Sequence, residues 1–110
     1  MNTIARNRIT ELNDNLRHTY WGGKIMTTEG INQLPESTQI AIFRAVSEFD
    51  DFREENDPHG EHDFGQVMVD GHTCFWKIDY YDNRMEFGSE DPSNPNITTR
   101  VLTILLASEY

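Results

Sequence analysis

The sequence predicts an α+β domain: one small antiparallel sheet, built on a central hairpin at residues 62–81, with helices packed on one of its faces. Three observations predict it. An apolar stripe of helical period opens the chain, an Asp-Gly pair separates two β-prone runs in its middle, and a dense apolar run closes it. At 110 residues the chain is read as a single domain, 1–110. A chain of this size buries roughly 65% of its unfolded surface, enough for a core without disulfide or metal staples.

Each element has its own justification. Ala5, Ile9, Leu12 and Leu16 recur at the spacing of an amphipathic helix, leaving Arg8, Glu11, Asp14 and Arg17 to its other faces, with Asn2 or Thr3 as cap. Gly22-Gly23 ends that helix, and Lys24–Thr28 is a short β-prone stretch. A second helix starts near Pro35, a residue suited to a first helical position, and carries Ile42, Val46 and Phe49 with Ile40 and Phe43 widening the stripe. The acidic segment from Asp50 to Asp57 follows, and Pro58 and Gly60 make it a loop.

Asp70-Gly71 is the strongest local signal, because a two-residue type I′ hairpin turn favours that pair. Counting outward from the turn fixes the register. Val69 faces His72, Val67 faces Cys74, Gly65 faces Trp76 and Asp63 faces Ile78, a mostly apolar set that forms the core face. The opposite face pairs Met68 with Thr73, Gln66 with Phe75, Phe64 with Lys77 and His62 with Asp79. Arg84–Phe87 is a candidate third strand. Beyond the turn-rich stretch 88–96, Asn94 and Pro95 read as the start of a last helix whose Ile97, Val101, Leu102, Ile104, Leu105 and Leu106 lie against the sheet.

Charge is unevenly spread. The net charge is −10 and the isoelectric point about 4.6. Residues 1–47 balance at +1, residues 48–91 carry fourteen acids against Arg53, Lys77 and Arg84, and residues 92–110 are neutral. Such a field excludes direct binding of nucleic acid or of an anionic membrane. No apolar run approaches the roughly 20 residues that span a bilayer, and the N-terminus has no apolar signal region. With Cys74 the lone cysteine, a reducing cytoplasm is the expected compartment.

Three stretches carry a resemblance. They are Phe49-Asp50-Asp51-Phe52 leading to Asn56-Asp57-Pro58-His59-Gly60-Glu61-His62-Asp63-Phe64-Gly65, then Phe75-Trp76-Lys77-Ile78-Asp79-Tyr80-Tyr81-Asp82, then Thr98 to Leu106. In these the chain resembles a family of small bacterial proteins, domain of unknown function 3768, over nearly its whole length. The resemblance implies single-domain products of bacterial genomes and mobile elements, and it supplies no catalytic residues.

Four constellations bear on chemistry, each set against its structural alternative. His59, Glu61 and His62, with Asp79 from across the hairpin, are metal-ligand types, and a set of His59, His62 and Asp79 would make a small metal-dependent enzyme or metal-binding protein. The alternative is a polar network holding a turn. His62 and Asp79 also have the makings of an acid–base pair, but no nucleophile stands near, and cross-strand pairs of this kind commonly just stabilise a sheet. Phe75, Trp76, Tyr80 and Tyr81 suggest a stacking platform, yet Lys77 is the lone base beside them, so they read as core. Asp50, Asp51, Glu54, Glu55, Asp57, Glu61 and Asp63 remain, crowded with Arg53 into one segment. They form either plain solvated surface, as in an acidic protein-interaction domain without mimicry, or a mimic of the phosphate backbone.

The functional expectation is therefore a non-enzymatic acidic binding protein without cofactor. Its partner is the basic surface of a protein or nucleoprotein complex, and it is a monomer or a dimer. In size and charge the chain is similar to small acidic inhibitors of bacterial restriction and CRISPR nucleases.

Overall fold

A computed structural model describes residues 2–110. Helix α1 (Thr3–Thr19) starts at Asn2, whose side chain accepts from Ala5 N (2.8 Å), and ends at Tyr20 in the left-handed conformation. Strand β1 (Lys24–Thr27), the single-turn α2 (Glu29–Asn32) and α3 (Glu36–Glu48) follow, with Pro35 directly ahead of α3. Strands β2 (Phe64–Val69) and β3 (His72–Tyr81) form the hairpin, and β4 (Thr99–Leu106) closes the sheet before a 3₁₀ turn at Ala107–Glu109.

The hairpin register is the expected one at every position from Phe64–Lys77 to Val69–His72. Asp70 and Gly71 both have positive φ (51° and 80°), as a type I′ turn requires. Cys74, Trp76, Ile78 and Val67 are buried, with Trp76 wholly inaccessible. Gly65 makes room for the indole: a Cβ there would stand 2.4 Å from Trp76 Nε1.

Two expectations are corrected. The last apolar run is strand, not helix, and lies second in the sheet order β1-β4-β3-β2. The sheet is accordingly mixed, since β4 is antiparallel to β3 but parallel to β1. β4 has buried residues on both of its faces, so its apolar residues show no two-residue alternation. Leu102 and Ile104 face the helices, whereas Val101 and Leu105 are buried on the other side, and Ile97 is exposed. The stretch 84–87 is not a strand either; the Asp82 carboxylate accepts from Arg84 N and Glu86 N and folds it into a turn.

The helices cover one face of the sheet. Leu16 of α1, Ile31 of α2, and Ile42 and Val46 of α3 pack with Val67, Cys74, Trp76, Ile78, Leu102 and Ile104 into one core. The other face carries Phe64, Phe75, Lys77, Asp79 and Thr103, and Tyr110 turns back onto it beside Phe64 and Phe75. No helix is long and apolar enough to cross a membrane, among the described residues.

Candidate functional site

The segment between α3 and β2 is the most acidic part of the chain, and its carboxylates divide into two groups. Asp50, Asp51, Glu54 and Glu55 are exposed on an ordered turn. Asn56 builds that turn from within: its Oδ1 accepts from Arg53 N (2.7 Å) and its Nδ2 donates to Asp51 O (2.8 Å). Asp57 N donates to Arg53 O (2.7 Å), and the Arg53 guanidinium reaches Asp51 (3.1 Å) and Glu55 (3.8 Å). Phe52 anchors the turn from below, edge-on to Phe49 and Trp76.

Asp57, Glu61 and Asp63 turn inward instead. Asp57, its side chain 6% exposed, accepts from His62 N (3.2 Å) and lies 3.6 Å from the ring. Glu61 accepts from the Tyr80 hydroxyl (2.7 Å), and burial, followed by that bond, pushes the Tyr80 phenol far above its ordinary value. Asp63 is half-buried near Glu61 and Asp57; desolvation first, and then Glu61, raise its carboxyl above the usual range.

The structure does not bring His59, His62 and Asp79 together. His62 has φ of +55°, which breaks the alternation of side chains ahead of β2 and sends its ring to the helix side of the sheet. There it stacks on Phe52 (3.7 Å between centroids, 3° between planes) and hydrogen-bonds Asp14 through Nδ1 (2.9 Å). Asp79 lies on the opposite face, where it accepts from Lys77 Nζ (2.8 Å), and His59 is exposed on the loop. Among the described residues no group of three His, Cys, Asp or Glu side chains converges as metal ligands do. Cys74 is buried in the core with its thiol pushed up by desolvation, so it offers no nucleophile.

The expectations missed a buried polar system that locks the acidic segment to the helices. Asn13, fully buried, donates to Glu61 O (3.0 Å) and to the Tyr80 hydroxyl (2.8 Å) and accepts from Arg100 Nε (2.9 Å). Arg100 also donates to Pro92 O and lies over the Tyr80 ring. Arg17, placed on a solvent face by its sequence pattern, is buried. Its guanidinium sits beside the rings of Phe52 and Trp76 and donates to Val46 O (3.0 Å), Phe49 O (2.7 Å) and Asp14 (3.2 Å). The signal existed: Ile9, Asn13, Leu16 and Arg17 share one helical face, and all four are buried.

A cleft of about 290 Å³ separates the acidic turn from the start of β2, lined by Phe49, Asp51, Arg53, Asn56, Phe64, Gly65 and Gln66. A second depression, of about 480 Å³, lies in the 82–97 connector between Phe87, Ile97, Arg84 and Glu90.

No curated protein and no solved structure matches the chain. A family model described as protein of unknown function (DUF3768) matches residues 27–109, which takes in the acidic turn, the hairpin and β4 but not α1. Because that match covers well over half of the chain, the chain belongs to that family.

Proposed function

We propose that the chain is a non-enzymatic acidic binding protein of the cytoplasm. It engages a basic protein surface through the turn at 50–55, as a nucleic-acid mimic would in inhibiting a bacterial nuclease, restriction or CRISPR complex. The observation that carries this reading is the division of the carboxylates. Asp57 is bonded within the segment to His62 N, Glu61 holds the segment to Tyr80 of β3, and Asp63 is half-buried beside them. This leaves Asp50, Asp51, Glu54 and Glu55 projecting from a turn pinned by Asn56. A turn whose backbone is fixed by the fold loses little backbone entropy on meeting a basic partner, and a compact negative field speeds the encounter.

The test is capture of partners from bacterial lysate. Screening contracts from about 10 Å at 0.1 M salt to about 3 Å at 1 M, so captured protein is released at the higher salt. Added duplex DNA displaces it as well. Changing Asp50, Asp51, Glu54 and Glu55 together to Asn or Gln abolishes capture, while the same treatment of Glu11, Glu29 and Glu36 does much less. Partners that stay bound at 1 M salt and to the first variant sink the reading.

A further inference from the structure

The free edge of β2 is the second half of this surface. Ile78 N donates to Asp63 O (2.8 Å), so Asp63 and Ile78 form a hydrogen-bonded pair. Such pairs recur at every second residue of an antiparallel ladder. Gly65, Val67 and Val69 therefore turn their main-chain groups toward β3, and Phe64, Gln66 and Met68 turn theirs outward. β2 is the last strand of the sheet, and among the described residues nothing bonds those outward groups.

Exposed edges are normally guarded by charge, proline, a bulge or brevity. The other edge, β1, is four residues long and begins with Lys24. β2 has six residues, Phe-Gly-Gln-Val-Met-Val, with no charge and no proline, and Met68 is 68% exposed. The cleft beside the acidic turn is lined by Phe64, Gly65 and Gln66 of this edge and by Asp51, Arg53 and Asn56 of the turn.

We propose that β2 receives an extended, lysine- or arginine-bearing segment of a partner protein as a fifth strand. The segment pairs with the outward main-chain groups of Phe64, Gln66 and Met68, and its basic side chains reach the carboxylates of the 50–55 turn. The pairing follows the edge-strand mode of peptide recognition, in which the main chain supplies affinity and the flanking side chains supply choice. Charge decides between occupants: a second copy would bring another chain of net charge −10 to the same edge, whereas a basic strand neutralises it. This inference rests on the acidic-surface reading and adds to it the conformation the partner adopts.

The probe is a short synthetic peptide of alternating lysine and valine, titrated into the full chain by calorimetry with hydrogen exchange read at each amide. Binding protects the amides of Phe64, Gln66 and Met68. Methylating alternate peptide nitrogens leaves every charge in place and removes the pairing donors, and weakens binding by tenfold or more, about the size of one lost hydrogen bond. Gln66→Pro deletes an outward N–H that the β2–β3 ladder does not use, so the fold survives and affinity drops by a similar factor.

If the methylated peptide binds as well as its parent and salt still weakens it, strand addition is overturned while the acidic surface stands. Failure of the parent peptide to bind at 0.1 M salt overturns strand addition as well. So does a dimer of the free protein that protects these same three amides, because it assigns the edge to a second copy.

Discussion

Asp63 is the carboxylate whose surroundings suit it least. It stands half-buried beside Glu61 and Asp57, and the folded chain holds its proton more tightly than the unfolded chain does. Between the unfolded and the raised folded pKa the native state therefore carries more protons, so stability falls as pH rises through that acidic window and stays lowered above it. Asp63→Asn removes the loss. The urea midpoint of this variant lies above that of the parent at pH 7, and the two converge as pH falls through the window; a variant midpoint below the parent at pH 7 contradicts the assignment. The Asp63–Ile78 pairing was legible from the turn count, because a two-residue loop leaves one register. The direction of the neighbouring His62 was not. A single positive φ reverses a side chain, and although histidine adopts it more often than most residues, the conformation stays uncommon enough that a loop histidine does not announce it. The proposed meeting of His62 with Asp79 failed on that one torsion.

Among the elements, α1 and α3 are joined by a side chain rather than by apolar contact alone. A helix leaves its last carbonyls without partners, and Arg17 of α1 supplies donors to Val46 O, Ser47 O and Phe49 O at the end of α3. Burial lowers the Arg17 pKa from its ordinary value, yet the guanidinium stays charged, opposite Asp14 and the negative end of the helix. Arg17→Ala leaves Ser47 O and Phe49 O without this donor, Val46 O keeping Phe49 N, and empties the space between Phe52 and Trp76, so it costs about 2–4 kcal/mol in chemical denaturation. Amides near the end of α3 then exchange faster than those at its start. Arg17→Lys recovers only part of the loss, because an ammonium neither forks nor stacks. α1, α3, β1 and the hairpin were legible from period and turn chemistry, whereas the single turn of α2 was not read. β4 was misread because a short apolar run has the same look in a buried helix and in a buried strand. Its Thr99, Val101, Thr103 and Ile104 are β-branched, and that chemistry, weighed above periodicity, points to the strand it forms.

For the whole molecule, the concentration of acid in residues 48–91 becomes a geometric division, with some carboxylates tied to the helices and the sheet and others left at the surface. Composition alone draws no such line, since it is set by Asn13, Asn56 and Tyr80, which carry no charge. The parallel pairing of β1 with β4 has a consequence in time. Thr27 lies opposite Ile104, 77 positions later, with the whole hairpin and two helices between them. At a synthesis rate of roughly 5–20 residues per second, β1 waits about 4–15 seconds for β4. The hairpin meanwhile exposes both its edges, and the dense negative charge of the nascent middle segment keeps such chains apart. A ribosome-bound chain arrested before Thr99 is consequently open to protease throughout, and one carried past Leu106 and clear of the exit tunnel becomes resistant in a single step. Vectorial synthesis cannot build this sheet from its first strand outward: it closes around a strand that arrives last and settles in the middle.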